Sequence, residues 1–201
     1  MEPTQRIIPL GAQVECTDGY GGSVTGLIVE PLARRLTHIV VQDDTVPAVE
    51  HLVPVARVAG TTHDGVTLDC TRDTLAALEP FTEERYISSK ASDEEPCYAV
   101  DPFAEFEADH IPLVTEHIPP GELAIRRGAQ VVAIDGHAGE LTAFVVEGAS
   151  GRISSIVVRL GHWLTKHEQA IPIAAVERID SGNLYLMLAR DQIATLPAIP
   201  G

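Results

Sequence analysis

The residues best suited to chemistry in this chain are histidines and carboxylates that lie close together in the sequence. His162, His167 and Glu168 fall within one stretch, GHWLTKHEQ, and zinc binds imidazole and carboxylate groups of this kind. A second group of candidate ligands lies in the middle of the chain and comprises Asp109, His110, Glu116 and His117. Neither group has the H-E-x-x-H spacing or the paired cysteines of a zinc motif. We therefore expect no bound metal and assign the first stretch to a solvated loop between two strands.

The same loop contains the single tryptophan of the chain. Trp163 stands beside His162, and Lys166 and His167 follow closely. Loops on a rigid scaffold often carry recognition residues, and tryptophan is enriched in the energetic centres of protein interfaces. These four residues are therefore our candidate contact with a partner protein. The alternative is that Trp163 packs onto its own domain.

Nucleophilic catalysis finds no support in the sequence. The chain has no G-x-S-x-G motif, and Ser154 and Ser155 lie in a strand pattern. The cysteines, Cys16, Cys70 and Cys97, form no C-x-x-C pair, and we expect them to be reduced. The sequence therefore predicts no catalytic residue and no cofactor.

The charge of the chain is strongly and unevenly acidic. The net charge is −15, with −6 in residues 1–81, −9 in residues 82–123 and 0 in residues 124–201. Nucleic-acid binding needs a basic face to neutralise phosphates, so we expect no direct nucleic-acid partner. Arg126 and Arg127 are expected to be solvated, with a contact to the acidic middle as the alternative. No apolar run is long enough to span a membrane and no signal peptide is recognisable, which predicts a cytoplasmic protein.

The elements that position these residues repeat along the chain. Residues 11–41 and 128–158 both contain Gly-Ala-Gln-Val, Asp-Gly, Val-Glu and Ile-Val-Val, at a constant separation of 117 residues. Alternating apolar residues and tight-turn signals predict about five short strands in each copy, closed by one helical turn. Strands this short must curl to cover their apolar face, which predicts a small β-barrel in each copy.

Three local signals refine this prediction. Asp18 and Asp135 precede the hairpin glycine in both copies, and we assign them to the turn and not to ligand binding. Thr71 is placed to cap the first closing helical turn. The leading residues, including Ile8 and Leu10, are expected to anchor the entry to the first barrel.

The order of these motifs resembles the PRC-barrel family. The shared elements are GAxV, DGxxG, an apolar strand, an arginine-bearing turn, IVV, a strand with an internal proline and a closing Dxx-hydrophobic turn. The likeness covers residues 9–81 and 124–199, and that family includes the cytoplasmic barrel of the photosynthetic reaction centre H subunit. The PRC-barrel family is also similar to the C-terminal barrel of a ribosome-maturation factor. The resemblance implies six-stranded, SH3-like barrels that dock onto other proteins, without catalytic residues.

The sequence therefore predicts an all-β protein of two tandem small PRC-barrel-like (SH3-like) β-barrels, each closed by a short helical turn. The first domain spans residues 1–81 and the second residues 124–201, with an acidic, partly ordered linker at residues 82–123. The predicted function is a noncatalytic protein-interaction or assembly module in the bacterial cytoplasm, and a homodimer is compatible with it. The alternatives are a ribosome-assembly accessory factor and a small-ligand or metal-binding regulator.

Overall fold

The computed structural model describes residues 5–62, 64–88, 110–160, 167–180 and 182–196, and it confirms the all-β prediction. What we call the first half consists of β1 (Gln5–Pro9), β2 (Gln13–Cys16), β3 (Gly19–Glu30), β4 (Arg35–Gln42), β5 (Glu50–Pro54), β6 (Val58–Thr61), β7 (Gly65–Leu68) and α1 (Arg72–Ala76). A hairpin of β8 (Thr82–Ser88) and β9 (His110–Glu116) follows. The second half consists of β10 (Leu123–Arg126), β11 (Gln130–Ala133), β12 (Gly136–Glu147), β13 (Arg152–Leu160), β14 (His167–Pro172), β15 (Val176–Asp180), β16 (Asn183–Leu186) and α2 (Arg190–Ala194).

The two halves have the same strand pairing. In the first half, β2, β3, β4 and β5 pair in antiparallel order, β7 lies parallel to β2, and β6 pairs with β7. The second half repeats this order with β11 to β14, β16 and β15. The Asp-Gly signals form the predicted hairpins because Gly19 and Gly136 adopt φ values of 135° and 126°, which other residues rarely reach. The side chain of Thr71 accepts a hydrogen bond from the backbone of Thr74, so its predicted capping role is confirmed.

Each half lends its first strand to the other half. β1 pairs with β12, which sets Ile8 opposite Phe144, and β10 pairs with β3, which sets Ile125 opposite Leu27. All four side chains are completely buried in one core cluster that contains residues of both halves. The exchange is reciprocal, so each half supplies a strand that completes the apolar core of the other.

The expectation that the leading residues anchor the entry to the first barrel covers only part of their role, because Arg6 of β1 also donates to Val58 O of the first half while the strand itself joins the second. The whole of β1 hydrogen-bonds to the second half, and the backbone N–H of Leu10 donates to Thr142 of β12. Ile8 is buried, as its apolar character requires, in the core that the two halves share.

A short seam joins the two halves into one sheet. β4 and β13 meet at Arg35 and Arg152. Two reciprocal backbone hydrogen bonds flank this pair, from Leu36 N to Gly151 O at 2.8 Å and from Ile153 N to Arg34 O at 2.9 Å. With the seam and the exchanged strands, a single sheet of 14 strands runs through both halves.

The sheet is curled, but two closed barrels are not confirmed. Within the described ranges, no strand pairing joins β5 to β6 or β14 to β15. These strand ends are connected by 3-10 turns at Val55–Arg57 and Ile173–Ala175. Each half is thus a curled strip of strands around the shared core.

The predicted linker contains regular structure. β8 and β9 form a separate two-stranded sheet, and the N–H of His117 donates to Phe81 O at 2.7 Å, which ties the hairpin to the first half. The domain limits at residues 81 and 124 remain a prediction. Among the described residues, no helix has the length and apolarity that a membrane crossing requires.

Candidate functional site

The loop predicted to contact a partner lies mostly outside the described residues. His162, Trp163 and Lys166 all fall there, so their predicted role stays a prediction. His167 is the first residue of β14, where it is exposed and pairs with Leu160 of β13. Within the described part of the chain, no group of three or more potential metal ligands is close enough to hold an ion.

Asp18 and Asp135 hold the closing helices. The Asp18 carboxylate accepts a hydrogen bond from the backbone N–H of Arg72, at the start of α1, at 2.9 Å. Asp135 accepts one from the backbone N–H of Arg190, at the start of α2, at 3.0 Å, and one from its Nε at 3.1 Å. These bonds, the backbone one first, hold the pKa of Asp135 below its ordinary value. Both carboxylates satisfy free helical N–H groups from a distant hairpin, a pairing that the turn signal alone did not predict.

The outer surface of the second half has two well-exposed apolar side chains side by side. Ile134 is 71% exposed and Met187 is 50% exposed. β11 runs parallel to β16 with Val132 opposite Tyr185, which places Ile134 and Met187 side by side two residues further along. The backbone N–H of Ile134 also donates to Leu188 O at 3.0 Å. Val132 and Tyr185 are half-buried on the same side of the strands. The guanidinium of Arg178 lies 3.7 Å from the centre of the Tyr185 ring.

We call this surface the apolar face, defined by Val132, Ile134, Arg178, Tyr185 and Met187. Contiguous exposed apolar residues are uncommon on isolated soluble proteins and frequently mark interaction sites. Aromatic, methionine and arginine side chains are enriched at protein interfaces. A stacked arginine also offers hydrogen-bond donors to a partner while its ring contact restrains it.

The matching surface of the first half is polar. Its corresponding strand pair sets Glu15 opposite Thr67, where the second half has Val132 opposite Tyr185. The next positions along are Thr17 and Asp69, both exposed. Asp69 lies 3.6 Å from Arg57 in a surface ion pair. The apolar face is thus a property of one half, since the same fold exists without it in the other.

The strongest polar cluster of the described residues is centred on Arg126. Its guanidinium binds both carboxylate oxygens of Glu50, at 2.6 and 3.0 Å, and one oxygen of Glu116 at 2.7 Å. It also lies 4.8 Å from the centre of the fully buried Phe81 ring. Thr25 donates a further hydrogen bond to Glu50 at 2.7 Å. The alternative contact of Arg126 with the acidic middle of the chain, through Glu116, is the one that the structure shows.

This cluster is suited to holding the strands together. Burial alone would raise the pKa of the Glu50 carboxyl, but the hydrogen bonds from Arg126 and Thr25 outweigh it and keep that pKa below its ordinary value. A carboxylate kept ionised by a bidentate arginine is a poor general base. The cluster therefore joins β3, β5, β9 and β10, and we assign it no chemistry.

A second candidate site is an open cleft of about 360 Å³ in the first half. Its walls are formed by Asp18, Gly21, Asp43, Asp44, Thr45, Arg72, Asp73, Leu75 and Ala76. Asp43 is engaged by the N–H of Val49 at 2.8 Å and by the buried His51 at 3.1 Å. Burial would raise the pKa of Asp43, but its hydrogen bonds, that of Val49 foremost, lower it. The carboxylates give the cleft an acidic lining.

Comparison with known proteins does not extend this description. No model of a known protein family matches the chain, and no characterised protein is similar to it in sequence. The apolar face itself escaped the sequence analysis, although the repeat contained the necessary signal. Aligning the two copies at Thr17 and Ile134, and at Asp69 and Met187, would have shown the change from polar to apolar residues.

Proposed function

We propose that this chain is a noncatalytic protein-interaction module whose two halves are PRC-barrel-like, and that its apolar face is the docking surface. The proposal includes an SH3-like barrel architecture for each half. It also includes that the chain catalyses no reaction. Its partner is a protein that presents apolar side chains at the centre of the contact.

The observation that carries the proposal is the exposure of Ile134 and Met187 beside Tyr185 and Arg178. Exposed apolar side chains cost solvation free energy of about 25 cal/mol per Å² of apolar surface, which docking removes. In the first half, Thr17 and Asp69 show that the fold itself does not require apolar residues at these two positions.

Charge supports the same surface. The net charge of residues 1–123 is −15, whereas residues 124–201 are neutral overall. A surface on the neutral part adds no net electrostatic repulsion when an apolar contact forms. The apolar face lies entirely in this neutral part.

The test introduces the residues of the first half into the second. The double variant Ile134→Thr/Met187→Asp reproduces side chains that this fold already accepts at the matching positions. Immobilised full-length protein is exposed to lysate of its source cells, and bound proteins are quantified by mass spectrometry. We expect one defined partner or complex with wild type and at least a tenfold lower yield with the double variant.

Two controls make the result specific. Leu32→Asp changes an almost completely exposed apolar side chain in the first half and should leave binding unchanged. Trp163→Ala tests the alternative contact loop in the same experiment. Retention of the partner by the double variant, with loss in Trp163→Ala, would move the docking surface to the loop. Ribosomal proteins as the main captured partner would favour the ribosome-assembly alternative.

The acidic cleft favours the small-ligand form of a second candidate function, a small-ligand or metal-binding regulator, because the described residues include no group of three potential metal ligands that could hold an ion. Asp18, Asp44 and Asp73 line the cleft beside Arg72. Thermal unfolding measured with and without Mg²⁺, Ca²⁺ and Zn²⁺ tests this candidate, because a ligand that binds only the folded state raises the melting temperature. Asp44→Asn should abolish any such rise, and an unchanged melting temperature with all three ions would remove the metal-binding form of this candidate.

A further inference from the structure

Two buried cysteines meet where the first half closes. Cys16 is the last residue of β2, and Cys70 precedes Thr71, the capping residue of α1. The N–H of Thr17 donates to Cys70 O at 3.0 Å, so the two segments run side by side at this point. The cysteines are 6% and 5% exposed, belong to the same core cluster and are free thiols.

The spacing of the two segments suits a disulfide. A disulfide requires Cα atoms about 4.4–6.8 Å apart, and the backbone hydrogen bond between Thr17 and Cys70 holds the two chain segments next to each other. The thiols of Cys16 and Cys70 already interact with each other. A bond between their sulfur atoms therefore joins two groups that are already neighbours in the core.

The fold does not need thiols at these positions. The second half has Ala133 and Leu188 in their places, with the same backbone hydrogen bond, from Ile134 N to Leu188 O. Gly21 makes room for the sulfur, because a Cβ at this position would lie only 2.7 Å from Cys16 Sγ. The second half has Ala138 where the first has Gly21.

The thiol pair lies beneath the acidic cleft. Gly21 and Leu75 line the cleft, and the side chain of Leu75 lies within 3.3 Å of the Cβ position of Gly21. Gly21 and Leu75 therefore lie between the Cys16 sulfur and the cleft. The cleft volume of about 360 Å³ is at the lower end of the range of small-molecule sites.

We propose that Cys16 and Cys70 are an oxidisable dithiol that closes reversibly to a disulfide, with a small-molecule disulfide such as oxidised glutathione as the oxidant. One cysteine attacks the glutathione disulfide as its thiolate, forms a mixed disulfide and releases one glutathione thiolate. The other cysteine, as its thiolate, then attacks the protein sulfur of the mixed disulfide and expels the second glutathione. Two protein thiols are oxidised and one glutathione disulfide is reduced to two glutathione thiols.

The closed form fixes the wall of the cleft. Cys70 leads directly into α1, whose residues Arg72, Asp73 and Leu75 line the cleft. A covalent link to β2 therefore restrains the start of α1 against the hairpin that carries Asp18. The device is confined to the first half, since the second half has no cysteine at either position.

The rate of closure should depend steeply on pH. Burial, together with the neighbouring Cys70, raises the pKa of the Cys16 thiol to about 11, and burial also raises the pKa of Cys70. Thiolate is therefore scarce near neutrality. As long as the pH is below the thiol pKa, the thiolate fraction increases about tenfold for each unit by which the pH is raised. We expect the rate of oxidation to rise in the same proportion between pH 7 and pH 9.

The test uses the full chain with Cys97→Ser, which removes the third cysteine. Protein incubated with oxidised or reduced glutathione is denatured, its thiols are counted with a colorimetric reagent, and its intact mass is measured. We expect oxidation to reduce the thiol count from two to zero. The intact mass should fall by two hydrogen atoms with no glutathione retained, and dithiothreitol should reverse both changes. The matched control adds Cys16→Ala, the residue of the second half, and should retain the Cys70 thiol or a glutathione adduct.

Two outcomes would overturn the proposal. One is a protein that keeps both thiols after prolonged oxidation at pH 9 while remaining folded by circular dichroism. The other is oxidation that yields only glutathione adducts or disulfides between chains. Closure at a rate independent of pH would contradict the thiolate route.

Discussion

The two halves of this chain share strand order and pairing, and they differ most where side chains leave the common core. At one outer surface, the first half has Thr17 and Asp69, and the second half has Ile134 and Met187. Beneath the closing helix, the first half has two thiols where the second has alanine and leucine. The backbone tolerates either set, so these differences are not needed for folding. They mark the positions at which the halves have acquired separate properties.

The seam between the halves shows the opposite case, a place where the backbone limits the choice of residue. Gly151 and Arg34 occupy matching positions, both with positive φ, 68° and 51°. A Cβ on Gly151 would lie 2.2 Å from the carbonyl oxygen of Leu36. The seam therefore accepts a side chain at Arg34 but not at the equivalent position, Gly151. Its two sides are not interchangeable.

The largest expected loss of stability comes from a substitution that disrupts the seam. Gly151→Ala should lower the free energy of unfolding by about 3 kcal/mol, because left-handed strain and a buried contact with backbone act together. Gly148→Ala is the matched control, since Gly148 has a φ of 50° but open space around its Cβ position. It should cost only about 1 kcal/mol. Urea unfolding of both variants measures the difference, and equal losses would show that the contact with Leu36 contributes nothing.

The next effect compares two arginine–glutamate pairs whose glutamates lie on matching strands, β5 and β14. Arg126→Met should cost about 2 kcal/mol, because it leaves the Glu50 carboxylate, only 13% exposed, without its main partner. Glu168 occupies the position of Glu50 in the second half and pairs with Arg159 at 3.3 Å, where both side chains are more exposed. Arg159→Met should cost less than about 1 kcal/mol in the same urea experiment. Similar costs would contradict the central role assigned to Arg126.

A smaller effect appears in the pH dependence of stability. The folded-state pKa of Glu50 is lowered, so its contribution is present above its unfolded pKa of about 4.3 and is lost as the pH falls through the folded value. Glu50→Gln should therefore be less stable than wild type by about 1 kcal/mol at pH 7, and the gap should close towards pH 3. Glu168→Gln, which changes a more exposed pair, should cost less than Glu50→Gln at pH 7. A constant gap for Glu50→Gln would show that its charge is not involved.

The smallest expected effect concerns Arg34. Arg34→Gly gives both sides of the seam the same residue. Relief of the left-handed strain is offset by the greater chain entropy of glycine, so the change in stability should stay within about 0.5 kcal/mol. Thermal unfolding is sufficient to measure it. A loss of more than this would mean that the Arg34 side chain stabilises the seam.

Much of the fold could be predicted from the sequence because its signals are local. Asp-Gly pairs form hairpins through the conformational freedom of Gly19 and Gly136, and Thr71 caps a helix that begins at the next residue. The exchange of first strands could not be predicted in this way. Ile8 and Ile125 are equivalent residues, and Leu27 and Phe144 offer them equivalent apolar edges. The pattern specifies a strand and its buried face, but it does not specify which of two similar edges the strand will join.

The candidate site was harder to predict for a different reason. By residue type alone, Trp163 and its neighbours are the most distinctive contact candidates in the sequence. Ile134 and Met187 have side chains that usually lie in a core, and only their exposed position directly after β11 and β16 makes them notable. Aligning the two copies shows the change from polar to apolar residues, but only the register of parallel strands distant in sequence shows that these two side chains are neighbours.

The exchanged strands have a consequence for how the protein is made. The partner of Ile8, Phe144, is synthesised 136 residues after it, on the order of ten seconds later at ordinary elongation rates. During that interval β1 has no edge to join, and the edge of β3 that later receives β10 is open. The nascent first half is therefore a transient binding site for any extended chain, including another copy of β10 on a neighbouring ribosome. Faithful assembly depends on the second half arriving before such a strand does.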